Sequence, residues 1–430
     1  MITTINNKHK KLNVPNLKDK GNGIRNVPNL RFPEFQGEWE KCKLGDYGKV
    51  VTGNTPPTKD IENYENGTFL WASPADLGTI KLISETKTML SAKGFSKTRA
   101  LPKGSVLVTC IGSTIGKTGM ATKEMSTNQQ INSIVVNDNN DNEFVYYAIQ
   151  SAFPRYLSSI AVQAVPIISK SSFELLPNQR PCLQEQKKIG KFLSLLDERI
   201  ATQNKIIEDL KKLKSAIIEK VFCSPNQKNP MCRIEGFEQA LSSYKMSDFS
   251  SRIATKNKDS KCSLVLTIAA QYGLVNQESF FNKSVASENL TGYYLLHKGE
   301  FAYNRSYSAG YDWGAVKRLD NYDEGVLSTL YICFKINETI VDSDYLAYYF
   351  ESTKWHRGLS DIAGEGARNH GLLNVSMADY FNTKHRFPVI EEQKAIAKIL
   401  NAITEKERKA TLLGEYYQKQ KQYLLRQMFI

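Results

Sequence analysis

Histidine is scarce in this chain, with 5 in 430 residues, and its 7 cysteines are scattered. None of Cys42, Cys110, Cys182, Cys223, Cys232, Cys262 and Cys333 forms a C-x-x-C pair, and no histidine stands at zinc-finger spacing. No metal site is legible, and the odd count points to reduced thiols used for packing. Long apolar runs are missing too. The stretch "SLVLTIAA" at Ser263–Ala270 is too short to span a bilayer and suits a buried strand or helix. The start, "MITTINNKHKK", has no apolar h-region, so a cytoplasmic protein without an export signal or membrane association is expected.

Enzymatic signatures are equally sparse. "IGSTIGKTG" at Ile111–Gly119 looks like a phosphate-cradling loop, but only 3 residues separate Gly112 from Gly116 where a P-loop needs four. The stretch that follows alternates apolar and polar residues towards Val135 and Val136, which predicts strands, not the helix a P-loop feeds. An adenine methyltransferase needs an N/D-P-P-Y/F loop, and the nearest string, "NPMC" at Asn229–Cys232, does not qualify. No nucleophile–base set or carboxylate cluster stands out. These absences are suggestive only of a protein that is not an enzyme by itself, because catalytic residues can lie far apart in sequence.

Positive charge is what the chain does have. Its 57 Lys and Arg against 44 Asp and Glu leave a net +13. Such a surplus suits a polyanionic partner, because each phosphate neutralised releases condensed counterions. At 430 residues, 41% hydrophobic and 23% charged, the chain is an ordinary globular one with room for two to four domains.

The sequence also repeats itself. "RYLSSIA" at Arg155–Ala161 returns as "RGLSDIA" at Arg357–Ala363, 202 residues later, with 5 of 7 positions identical. The same offset relates "RFPEF" at Arg31–Phe35 to "RIEGF" at Arg233–Phe237, and "KLGD" at Lys43–Asp46 to "KMSD" at Lys245–Asp248. At an offset of 207, "PCLQEQKKI" at Pro181–Ile189 answers "PVIEEQKAI" at Pro388–Ile396. Each copy is a mixed α/β domain of about 150 residues followed by a long helix.

The first helix carries Ile189, Leu193, Leu196, Ile200, Ile207 and Leu210 at heptad spacing, with Gln203 at one seam position. The second carries Ile396, Leu400, Ile403, Ala410, Tyr417, Leu424 and Met428, weakened by Glu407 and Gly414. About 40 residues of helix make a rod of about 60 Å. A seam this narrow needs a partner helix, and each copy is the natural partner of the other. The expected fold class is α+β, with two α/β domains, an antiparallel two-helix coiled coil between them and a pseudo-twofold internal repeat. The antiparallel return would bring the N- and C-terminal regions together. The boundaries read as a flexible basic tail over 1–30, a first domain over 31–181, helices over 182–222 and 388–430, and a second domain over 223–387. Two similar basic domains held at a fixed spacing suit two segments of one duplex.

With "P-x-[LI]-x-E-Q" opening each helix (Pro181–Gln186 and Pro388–Gln393) and "FPEFQGEWEKCKLGD" at Phe32–Asp46, the chain resembles the specificity subunits of type I restriction–modification enzymes over residues 26–430. The resemblance implies a non-catalytic reader of a split double-stranded DNA target, with one recognition domain per half-site. It implies paired helices that set the gap and dock two methyltransferase subunits, which motor–nuclease subunits then join. S-adenosylmethionine and ATP would sit on those partners, with no cofactor in this chain. The alternative is a coiled-coil scaffold without sequence-specific DNA binding.

On this resemblance the glycine-rich loop faces DNA. Gly112 allows close approach, while Ser113, Thr114, Lys117 and Thr118 supply hydroxyls and a cation. "STNQQ" at Ser126–Gln130 adds Asn128, Gln129 and Gln130, whose amides suit adenine edges. The second domain carries "NRSYSAGYDWGAVKR" at Asn304–Arg318 instead, offering Arg305, Tyr307, Lys317 and Arg318, and "AGEGARNHG" at Ala363–Gly371 adds Arg368. Divergence between the two loops fits two different half-sites.

Overall fold

A computed structural model describes residues 26–430 except 79, 160–166, 284–288, 307–309, 363–367, 370, 371 and 374. The chain divides into two compact units, Met1–Ile200 with Tyr416–Ile430, and Ala201–Glu415.

In the first unit five strands lie in the order Gly48–Thr52, Ile131–Val136, Val106–Thr109, Thr118–Ala121 and Leu82–Ile83. The pairs are antiparallel except the last, which is parallel. Val106–Thr109 is buried along its whole length, as the apolar residues Val106, Leu107 and Val108 require. Its alternation divides the side chains. Val106 and Val108 join a core around Phe144, Tyr147 and Phe173, and Leu107 joins one around Leu70, Leu77 and Met125. The helix Asn142–Ser159 supplies more of the first core than any other single element, and Asp141 caps it by accepting from Phe144 N at 2.9 Å.

The second unit repeats the order of the first four strands. Ser250–Arg252, Ile332–Ile336, Phe301–Asn304 and Ala315–Arg318 form a four-stranded antiparallel sheet. Phe301 and Tyr303 face a core rich in aromatics, while Ala302 faces a second cluster that includes Leu266 and Ile268. "SLVLTIAA" contains the buried strand Leu266–Ala269. Asp342 caps the helix Ser343–Tyr349 through Tyr345 N, as Asp141 caps its counterpart.

The long helices run Leu183–Val221 and Ile390–Gln427. In the first unit Asp197 pairs with Lys421 at 2.6 Å, and the Arg199 guanidinium lies 5.3 Å from the Tyr417 ring centre. In the second unit Gln203 Nε2 donates to Ala410 O at 2.9 Å, and Lys214 pairs with Glu407 at 3.1 Å. Within each unit, advancing along one helix moves the contact backward along the other, so the segments are antiparallel. Ile200 and Ile403 are buried, and Ile207, Leu210 and Tyr417 are half-buried.

The helix ends do more than pair. Ile189, Leu193 and Leu424 belong to the domain core of the first unit, with Leu196 packed against it, and Ile396 and Leu400 belong to that of the second. Polar bonds fix the first helix to its domain as well. Lys81 Nζ reaches Glu143 at 2.8 Å and Ser194 Oγ at 2.9 Å, while Tyr147 OH donates to Asp197 at 2.6 Å. Seam periodicity accounts for the middle of the helices, and burial in the domains accounts for their ends.

The last five residues of the flexible tail expected over 1–30 are instead held in the fold. Trp39 N donates to Asn26 O at 2.7 Å and Leu30 N to Gln427 O at 2.8 Å, so Asn26–Leu30 is fixed beside the C-terminal helix. Residues 1–25 lie outside the described residues. The motif opening each helix also has a structural task. Gln186 Oε1 accepts from Asp141 N at 3.0 Å, and its Nε2 donates to Pro181 O at 3.0 Å. Gln393 does the same with Asp342 N at 2.9 Å and Pro388 O at 2.9 Å.

All seven cysteines are free. Burial pushes the Cys110 and Cys333 thiols up to about 12, so neither offers a thiolate at neutral pH.

Candidate nucleic-acid interface

The loop Cys110–Lys117 joins the hairpin strands Val106–Thr109 and Thr118–Ala121, with no helix after it. Two turns build it, Ile115 N to Gly112 O and Lys117 N to Thr114 O, both at 3.2 Å. Gly112 and Gly116 sit at φ of +93° and +90°, which side chains disfavour. Gly116 is also tight, since a Cβ there would lie 2.5 Å from the Phe153 ring. Ser113 is exposed, and Thr114 and Lys117 are half-buried. The Lys117 stem runs alongside Gly78. Among the described residues its ammonium makes no ion pair, so its charge is available to a ligand.

The Asn128–Gln130 turn meets this loop. Cys110 N donates to Gln130 O at 2.7 Å, and a Cβ on Gly112 would lie 3.8 Å from Gln130 Nε2. Sequence placed the two segments on one surface only through resemblance, and the tertiary structure does bring them together.

Individual roles divide differently from the expectation. Thr118 is 3% exposed and Asn128 is 7% exposed, so neither presents its side chain outward. Asn128 Oδ1 accepts from Gln130 N and its Nδ2 donates to Gln130 Oε1, both at 3.0 Å. Its task is to orient Gln130. Gln129 is held by Thr55 Oγ1 at 2.5 Å, and the exposed Arg99 donates to Thr52 O at 2.7 Å. Thr55 and Arg99 carry no local sequence mark, because their place beside the turn comes from strand pairing.

In the second unit the basic residues are largely committed. Arg305 donates to Val375 O at 3.0 Å and to Leu330 O at 3.4 Å. Arg318, 17% exposed, pairs with Asp320 at 2.6 Å and Asp344 at 2.8 Å, so its charge is already matched. Lys317 is half-buried, and burial lowers its ammonium pKa despite nearby Glu351. Arg305 and Arg318, expected as DNA contacts, are thus already engaged within the fold. Tyr307 lies outside the described residues, as does the Arg368 side chain.

Comparison with known proteins decides what such a fold belongs to. Residues 36–212 match the type I restriction modification DNA specificity domain. That stretch belongs to the type I specificity family. The chain is 29% identical over 191 residues to the MjaIX specificity subunit of Methanocaldococcus jannaschii, covering 43% of this chain and 44% of that one. It is 33% identical over 126 residues to the HindI specificity subunit of Haemophilus influenzae, covering 29% and 27%. It is 28% identical over 187 residues to the EcoR124I/EcoR124II specificity subunit of Escherichia coli, covering 42% and 45%. The chain spans less than half the length of these curated relatives.

Structural likeness to type I proteins extends further. The S subunit of a type I restriction–modification system from M. genitalium matches at a TM-score of 0.58 and 16% identity, over 94% of this chain and 99% of that one. A chain from a study of complex assembly and conformational transition in the type I system matches at a TM-score of 0.51 and 15% identity, over 90% and 96%. At these identities the likeness establishes the type I specificity fold.

Proposed function

We propose that the chain is the non-catalytic DNA reader of a type I restriction–modification complex. Each unit binds one half of a split duplex target, and methyltransferase subunits dock on the long helices. Motor–nuclease subunits join through that methylase core, and S-adenosylmethionine and ATP are bound by the partners.

One observation carries this reading. Four strands follow the same order in both units, yet the turns at equivalent ends carry different chemistry, with Gly112, Lys117 and Gln130 in one and Arg305 and Leu330 in the other. A repeated scaffold with divergent tips is what reading two different half-sites requires. Ser113, Thr114, Lys117, Gln129 and Gln130 are the contacts proposed for the first half-site. Exposed apolar residues on the helices, such as Leu195 and Tyr423 in the first unit and Leu213 and Leu412 in the second, support docking of partners.

The test is to co-express the chain with its methyltransferase partners and map modified adenines across a genome. A bipartite motif is expected, and grafting a different domain over 31–181 should change one half of it and leave the other. Unpatterned methylation would overturn the reading. A scaffold that only joins proteins would show no salt-dependent duplex binding at all.

A further inference from the structure

We infer that Leu330 is a specificity-determining residue of the second unit, contacting the 5-methyl group of a thymine in one half of the target. This rests on the DNA-reading function proposed above.

The two units place Leu330 and Gln130 at the same point of the fold. Ile134 pairs with Val106 and Val50, and Phe334 pairs with Phe301 and Arg252, so Ile134 corresponds to Phe334. Asn137 N bonds to Tyr47 O in one unit, and Asn337 N bonds to Phe249 O in the other, which fixes the same register. Counting back along both strands sets Gln130 against Leu330, and counting forward from Val106 and Phe301 sets Cys110 against Arg305. That second match is supported by Ile168 N bonding to Cys110 O, as Leu373 N bonds to Arg305 O.

Both turns are built alike from different parts. Gln130 N donates to Asn128 Oδ1 at 3.0 Å, and Leu330 N to Ser328 Oγ at 3.4 Å. Ile131 N donates to Asn128 O, and Tyr331 N to Ser328 O, both at 3.2 Å. Gln130 O accepts from Cys110 N, and Leu330 O accepts from the Arg305 guanidinium. Tyr331 is tied down in turn, its hydroxyl 3.3 Å from Thr267 Oγ1. The second turn is therefore held at both ends while its leucine projects outward, 64% exposed.

A leucine gains nothing from a phosphate. On a duplex it gains by removing apolar surface from water, and in the major groove that surface is the thymine methyl. An amide at the equivalent position suits hydrogen-bonding edges instead. Exchanging Gln for Leu on one scaffold changes the base chemistry that the turn prefers.

Deoxyuridine in place of thymine removes only that methyl group. The full-length chain, in complex with its methyltransferase subunits, is titrated with duplexes of the mapped target in which each thymine is replaced in turn. One replacement should weaken wild-type binding about fourfold, the value of one buried carbon. The Leu330→Ala complex should bind both duplexes equally at that position while keeping wild-type thermal stability. Wild-type indifference to every replacement, a target without thymine, or undiminished discrimination by Leu330→Ala would overturn the inference and leave DNA reading intact. A complex with no sequence preference would overturn both.

Discussion

Arg31 holds Glu185 in a two-pronged ion pair across 154 residues of sequence, Nε to Oε1 at 2.8 Å and Nη2 to Oε2 at 2.7 Å. Arg233 and Glu392 repeat the arrangement in the second unit. Glu185 is 1% exposed, so losing Arg31 strands a buried carboxylate. Arg31→Ala should cost about 3 kcal/mol, measured as a shift in urea midpoint. Arg31→Lys should fall between, restoring charge without the fork. A loss under about 1 kcal/mol would show that the pair is dispensable.

Gly414 stands inside a helix where glycine is disfavoured. A Cβ there would lie 3.5 Å from Gln203 Cγ and 3.6 Å from Ile207 Cδ1, ordinary contact distances. Gly414→Ala should stabilise the second unit by about 0.5–1 kcal/mol, raising its melting temperature by about 2 °C. A fall in melting temperature would mean that the helices approach more closely than these distances imply.

His385 is buried between Tyr349 OH at 3.0 Å and Thr383 Oγ1 at 2.8 Å, and burial pushes its pKa down to about 3. The unfolded chain binds this proton from about pH 6.5, whereas the folded chain does not until far lower. Stability from the neutral imidazole is therefore complete above pH 6.5 and is lost as pH falls, by up to about 1.4 kcal/mol per pH unit. The difference between wild type and His385→Gln in unfolding free energy, followed from pH 7.5 to 5, should shrink with acidification. A pH-independent difference would contradict a neutral buried histidine.

Lys117 tests the proposed DNA face. Its removal as Lys117→Ala should weaken the complex for all duplexes and lower the slope of log affinity against log salt by about 0.9. An unchanged slope would remove Lys117 from the phosphate contacts.

The repeat, the two long helices and the absence of a P-loop were legible because they depend on order and spacing along the chain. Helix seams follow from residues three and four apart, so Ile200 and Ile403 could be assigned from sequence. Side-chain tasks were less legible. Glu185 is legible only as part of the motif that opens the first helix, and the fold shows that its partner is Arg31. Asn128 looks like a base reader, but it is buried bracing Gln130. Arg305 and Arg318 look like free cations, but carbonyls and carboxylates already hold them.

Sequence by itself determined that this protein is a duplicated domain-plus-helix unit with surplus positive charge, since periodicity and composition need no third dimension. Only the tertiary structure decided which polar groups remain free for a ligand. A hydrogen bond or ion pair is set by distance in space, and strand pairing brings together residues that the chain separates by a hundred positions or more. Leu330 shows the difference most sharply. In the sequence it is one leucine among many, and in the fold it stands outward where the other unit holds a glutamine.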